Sequence, residues 1–263
     1  FLFCIDKYFV LINFSFLGLH ERHLVVDALS EVTFPNEFIE TWSAIEATNI
    51  NEQTLLFWTQ RFGLIAIAKF ESTSKGGQVN LLARLDEPEN GIPTKSLYFH
   101  YGPFIWFVVG WVKDVGQYLT VYQFDRATNL FHRRQTIKPE LEFDFDIITS
   151  HNVVYLVVSN LKTKTKNGFS YHSTLELYKW KHNSFDSIAK HKTYASSSVK
   201  FFTIFNVLHV AVGQRIEPNF DETQKSNEYL IGSSIFAFNP NEEKLIKVQA
   251  IDMKSVNKVN YYR

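Results

Sequence analysis

The chain is poor in the residues that staple a fold or tune a redox site. Cys4 is its single cysteine in 263 residues, so no intrachain disulfide can form. Secretion is compatible with this, because a large β-core needs no covalent staple. Net charge is missing too, since 27 Lys and Arg balance 27 Asp and Glu. No global field is left to hold nucleic acid or an anionic membrane. Long apolar runs are also absent. The one near an end, residues 8 to 19, has twelve residues where a bilayer span takes about 20. Asp6 precedes that run and no small-x-small cleavage site follows, which favours a strand there over the alternative, the core of a leader. There is no phosphate-binding glycine loop, nucleophile elbow, paired CxxC or zincin-type helix.

Aromatic residues are abundant. The 25 Phe, 12 Tyr and 5 Trp favour pleated, half-buried surfaces over helix. Apolar residues alternate, as Phe143, Phe145 and Ile147 do against Glu142, Asp144 and Asp146. That is the strand period. The reading is all-β.

A hydrophobic phrase returns about every fifty residues. Its cleanest copy is Tyr155 to Asn160, Tyr-Leu-Val-Val-Ser-Asn. Looser copies are Phe9 to Asn13, Leu64 to Ala68, Trp106 to Gly110 and His209 to Gly213. The small or polar residue near the end of each falls at 13, 68, 110, 159 and 213, giving spacings of 55, 42, 49 and 54. A second phrase, Leu119 to Phe124, recurs as Leu175 to Trp180 and as Ile235 to Phe238. Phe131-x-x-x-Gln135-x-Ile137 then returns as Leu245-x-x-x-Gln249-x-Ile251. Short strands in fixed order predict the four-stranded blades of a β-propeller. About five units fit one domain spanning 1–263, with the best repeats at 119–174, 175–234 and 235–263, and both ends read as cut from something longer.

Leu177-Tyr178-Lys179-Trp180, a Phe-x-Ile strand and Tyr155 to Asn160 together resemble EAR (EPTP) repeats, the epilepsy-associated repeats of leucine-rich glioma-inactivated proteins and of thrombospondin-type laminin G proteins. The resemblance is best over 119 to 251. It implies a seven-bladed propeller in a secreted or ectodomain protein that binds an extracellular or cell-surface protein, and no enzyme. His209 and Trp106 stand where that pattern has Tyr. Trp-Asp signatures and repeated paired glycines are absent, which sets aside two other propeller families.

Candidate chemistry is sparse. Glu142, Asp144 and Asp146 would share one strand face about 6.5–7 Å apart. They suit a calcium ion, or acid–base work on a glycan, or simply a solvated face. His20 and His23 are too few ligands for zinc, and Asn13-Phe14-Ser15 is the one glycosylation sequon. Connections at about 71 to 79, 111 to 118, 161 to 174 and 214 to 233 follow the core phrases and are expected to lead to the next unit on a common face. The two longest carry the candidate binding residues Lys162, Lys164 and Lys166, and Arg215, Phe220 and Tyr229. Mixed charge with isolated aromatics suits a specific protein contact. The expectation is therefore a non-enzymatic extracellular interaction module. The rivals are a glycan-processing propeller centred on the acidic strand and an intracellular scaffold. No cofactor other than calcium is expected.

Overall fold

The computed structural model describes residues 2–5, 8–11, 32–33, 42–50, 53–60, 64–73, 76–86, 91–113, 116–166, 168–214 and 233–251. Among them the regular elements are twenty strands and no helix. The chain is all-β and of the β-propeller class, built from meandering antiparallel sheets of blade type. It divides into two compact units, residues 1–95 with 125–131, and residues 96–124 with 132–263.

The first unit holds the hairpin β1 (Leu2–Ile5) with β2 (Tyr8–Leu11). It also holds a meander of β4 (Trp42–Ile50), β5 (Gln53–Gln60), β6 (Leu64–Thr73) and β7 (Gly76–Asp86). The short β3 (Val32–Thr33) adds to it in parallel beside β7. A second sheet runs β8 (Ile92–Tyr101), β9 (Phe104–Lys113), β10 (Gly116–Asp125) and β11 (Leu130–Ile137). All but its first residues and its last turn belong to the second unit.

Two further sheets complete the second unit. One is β12 (Leu141–Ser150), β13 (Val153–Thr165), β15 (His172–Lys181) and β16 (Ser184–Tyr194), with the short β14 (Gly168–Ser170) on the end of β13. The other is β17 (Ser196–Ile204), β18 (Val207–Gln214), β19 (Ser233–Asn239) and β20 (Lys244–Ile251).

The continuous apolar run of the core phrase has a packing cause. On β13, Val154, Leu156 and Val158 face a core shared with Trp106, Val108, Leu119 and Val121 of the preceding sheet. Tyr155 and Val157 face the opposite way, into a core with Val199, Phe201, Val210 and Phe236 of the following sheet. A strand buried on both faces must be apolar at successive positions, not alternate ones. Tyr178 and Trp180 on β15 point into the first core and Leu175 and Leu177 into the second.

A β-bulge marks the same place in three sheets. Leu82 is the extra residue between the pairs Ile67↔Ala83 and Ala68↔Leu81. Ile188 is extra opposite Leu177 and Tyr178, and Val248 opposite Ile235 and Phe236. Each lies between the third and fourth strands of its meander, so β6 is equivalent to β15 and β19. This corrects one sequence assignment. Leu64 to Ala68 is a third strand, and the second is β5, whose Phe57 pairs with Ile67 as Val157 pairs with Leu177. Counting to Thr59 in place of Ala68 puts 51 residues before Gly110 instead of 42. The described residues of the five copies nonetheless lie in five different sheets, and none pairs with another.

The connections also differ from expectation. Residues 111 to 118, 161 to 174 and 214 to 233 join the second and third strands within one sheet, and 71 to 79 joins a third to a fourth. Sheets therefore run 92–137, 141–194 and 196–251, two strands out of phase with the sequence repeats.

Candidate functional site

The acidic strand proves to be a seam between sheets. Asp144 Oδ2 accepts the Val199 N–H at 2.9 Å and the Ser198 hydroxyl at 3.1 Å. Asp146 Oδ2 accepts the Phe201 N–H at 2.8 Å, and its Oδ1 meets Lys200 Nζ at 2.9 Å. β17 is the edge of its sheet, and alternate N–H groups on such an edge point away from β18. Carboxylates two residues apart on β12 match N–H groups two residues apart on β17. These donors would otherwise be orphaned in a buried seam.

Two expectations fall with this geometry. Asp146 is 2% exposed, so the acids do not form a solvated outward face. Their oxygens are engaged by backbone and ammonium donors, and no group of three or more His, Cys, Asp or Glu among the described residues could hold a metal. Calcium on Glu142, Asp144 and Asp146 is therefore not supported. As an acid–base pair, Asp144 and Asp146 are spent on structure.

Glu142 behaves differently. Its backbone adopts φ 51°, a left-handed conformation that costs a non-glycine residue energy. Gln117 Oε1 of β10 accepts its N–H at 2.8 Å, and its carboxylate meets Lys162 Nζ at 2.6 Å. The side chains of Lys162 and Glu142 are 23% and 49% exposed. An ion pair so open to water adds only about 0–1 kcal/mol. The Lys162 ammonium also lies 5.7 Å from the centre of the Tyr171 ring.

Beside this pair stands Glu140, in the turn that brings the chain from β11 into β12. The Asn160 side-chain oxygen accepts its N–H at 2.9 Å. The Thr163 hydroxyl sits between the Glu140 carboxylate and the His172 carbonyl, and its single proton serves one of them at a time. Asn160 is fully buried and donates to the Thr174 carbonyl at 3.0 Å, tying the start of β12 to β15 across β13. Tyr194 closes the back, its ring 5.5 Å from His172 and 6.2 Å from Tyr171. Near the start of β12 and the β13–β15 connection, Glu142 thus meets Lys162 and Glu140 meets Thr163, successive residues of β13 that project to opposite faces.

Of the residues picked from sequence, Lys162 and Glu142 enter these contacts. Lys164 and Lys166 are exposed further out, Lys164 opposite Phe169 in the β13–β14 ladder. Arg215, Phe220 and Tyr229 lie outside the described residues, as do His20, His23 and the Asn13 sequon. Sequence reading passed over Gln117, Glu140, Thr163, Tyr171 and His172. The one signal for them was position, since each sits at a strand start or strand end next to a connection.

A second polar group is internal. Glu176 accepts the Tyr178 hydroxyl at 2.7 Å and pairs with Lys190 at 3.1 Å. Burial first, and Glu176 second, hold the Tyr178 phenol well above its ordinary value. It is a neutral donor and no base.

No family model matches the chain. No curated protein matches it either. Solved structures do resemble it in fold. A Bacteroides fragilis protein named as a candidate 6-phosphogluconolactonase aligns over 98% of this chain and 71% of its own, with 12% identity and a TM-score of 0.51. A Lactobacillus plantarum protein solved as a structural-genomics target aligns over 93% and 64%, with 11% identity and a TM-score of 0.50. A candidate exo-β-1,3-galactanase of Bifidobacterium bifidum aligns over 76% and 67%, with 9% identity and a TM-score of 0.48. The chain thus spans between 64% and 71% of the length of these three proteins. Of the two with a TM-score of at least 0.50, the one that carries an activity in its name is named as an enzyme, a candidate 6-phosphogluconolactonase. The expectation of a non-enzymatic extracellular interaction module is corrected to this extent: the fold is one that proteins named as enzymes share, and that module is not carried forward.

Proposed function

We propose that the chain is a propeller enzyme acting on carbohydrate, hydrolysing a glycosidic link or a sugar lactone. The supporting observation is the likeness over 98% of the chain to the candidate lactonase of Bacteroides fragilis. Fold alone assigns no chemistry, so the site residues have to carry the test. Around the start of β12, Glu140 and Glu142 are carboxylates that the sheet seam does not consume. In hydrolysis one takes a proton from the attacking water while the other donates one to the departing oxygen. Lys162 balances the charge of Glu142, and the Tyr171 ring lies beside that lysine.

A panel of chromogenic glycosides and sugar lactones tests this reading. Glu140→Gln and Glu142→Gln should each lower turnover about 10²–10⁴-fold with unchanged unfolding. Asp144→Asn with Asp146→Asn should instead lower the unfolding midpoint and spare turnover per folded molecule. Absence of turnover across the panel, or turnover indifferent to both glutamates, rejects the proposal. The kinship to EAR repeats is a separate proposal about the origin of the sheets, supported by the fixed order of phrases and by the recurring bulge.

A further inference from the structure

The β13–β14 ribbon projects past the sheet that carries it. β13 pairs with β12 as far as Lys162 and with β15 as far as Ser159. Beyond these it pairs only with β14, through Thr163↔Ser170, Lys164↔Phe169 and Thr165↔Gly168. Residues opposite one another in an antiparallel pair share a face, as do alternate residues of one strand. Lys162, Lys164 and Phe169 therefore stand on one face of the ribbon, and Lys166 lies at the turn that closes it. Lys162 links this face to Glu142 at 2.6 Å and to the Tyr171 ring at 5.7 Å.

The charges nearby divide into engaged and unengaged. Glu142 is held by Lys162, and Glu140 by Thr163 on the opposite face. Lys164 and Lys166 are exposed and make no ion pair with the described residues. Phe169, directly across from Lys164, is 64% exposed. A lysine on a lone ribbon is accounted for, because it discourages pairing with a further strand. A phenyl ring left in water on the same face is not accounted for by that, nor by burial.

We infer that this face holds an acidic glycan, a sugar chain bearing carboxylates. The C–H face of one sugar ring lies on Phe169, and its carboxylate takes a charge-assisted bond from Lys164. Lys166, at the tip, meets the carboxylate of a neighbouring unit. Lys164 is two residues from Lys162, about 6.5–7 Å along the strand. A sugar held there is about one unit away from Glu142. Nucleic acid and anionic membranes are bound by many charges at once, and three lysines in a chain of zero net charge supply few. A uronate unit needs one ammonium and one ring. The inference rests on the carbohydrate reading above and names the substrate class for it.

Equilibrium binding to immobilised polygalacturonate, alginate and hyaluronan at about 0.15 M salt tests it. Neutral galactan, single-stranded DNA and phosphatidylserine vesicles are the comparisons. At least one carboxylated polymer should bind the wild type, and more tightly than any comparison does. Lys164→Ala should weaken that binding at least tenfold and Phe169→Ala at least fivefold, with both variants unfolding as the wild type does. Phe169→Tyr should retain it. Failure of all three acidic polymers overturns the inference. So does binding unchanged in Phe169→Ala, which would make the attraction one of charge alone. Tighter binding to the DNA or to the vesicles overturns it in favour of that partner. Turnover of neutral chromogenic substrates without acidic-polymer binding defeats this inference alone. Acidic-polymer binding that follows Lys164 and Phe169, with no turnover on the panel, supports it and defeats the hydrolase alone.

Discussion

Two sheets of the second unit carry the same strand order and the same bulge, yet they bury their residues differently. In the β12–β16 sheet, β13 is buried without a break from Val154 to Leu161. In the β17–β20 sheet, the equivalent β18 alternates, with Val210 and Val212 buried and His209 and Ala211 half-buried. The first sheet has a core on each face. The second turns Val199, Val210 and Phe236 toward β13 and leaves Ile246 and Val248 48% and 54% exposed. The repeat therefore specifies a strand's place in its sheet, whereas burial follows from what packs against that sheet.

The largest expected effect lies in the doubly packed sheet. Trp180 meets Trp106, Phe185 and Phe99 at 4.6, 4.8 and 5.0 Å between ring centres. Trp180→Ala should lower stability by roughly 3–5 kcal/mol, as for a large buried aromatic. Lys179 lies between its buried neighbours on the opposite face, toward the rim of the following sheet, where it makes a long, partly exposed 3.9 Å contact with Glu243. Lys179→Ala should therefore change denaturant unfolding by less than about 1 kcal/mol. Equal losses in the two variants would mean that the faces of β15 are misassigned.

A smaller effect sits where the two sheets meet. The His191 ring on β16 packs 4.7 Å from Phe236 on β19. Burial first, and the Lys247 charge second, lower its proton affinity below the ordinary value of 6.5. The unfolded chain then binds the proton more tightly than the folded one. The stability from a neutral His191 is fully present above pH 6.5 and is lost as pH falls below it toward the lowered folded value. His191→Gln should flatten that acid limb of a thermal-unfolding series, and an unchanged pH slope would remove His191 from the account.

Much of this architecture was legible in the chain. Strand period, aromatic content and returning phrases specified an all-β propeller, because they are local consequences of pleat and burial. The Leu64 copy was misplaced because a third strand packed in the interior shows the same apolar run as a second one. The seam from Asp144 and Asp146 to Val199 and Phe201 could not be read, since it spans 55 residues and depends on which edge of β17 faces outward. In sequence those acids looked like a cation site or a catalytic pair. The contacts of Glu140 and Glu142 were half visible. Glu142 and Lys162 stood out by charge, while Gln117 and Thr163 are ordinary polar residues that only the fold brings alongside.

The smallest predicted effect is a gain. His151, His182 and Phe205 all hold φ between 47° and 49° at the first position of their turns. A left-handed conformation costs an ordinary L-residue about 1–2 kcal/mol, and Asn largely escapes that cost through local hydrogen bonding. His is itself among the residues more tolerant of the region, so His151→Asn and His182→Asn should gain little. Phe205 is the worst fitted of the three, and at 97% exposure its removal forfeits almost no packing. Phe205→Asn should therefore raise stability by about 0.5–1 kcal/mol, seen as a higher denaturant midpoint at unchanged slope. A loss of stability would show that the ring makes contacts in solution that hold the hairpin. The strain at Phe205 would then be offset by those contacts.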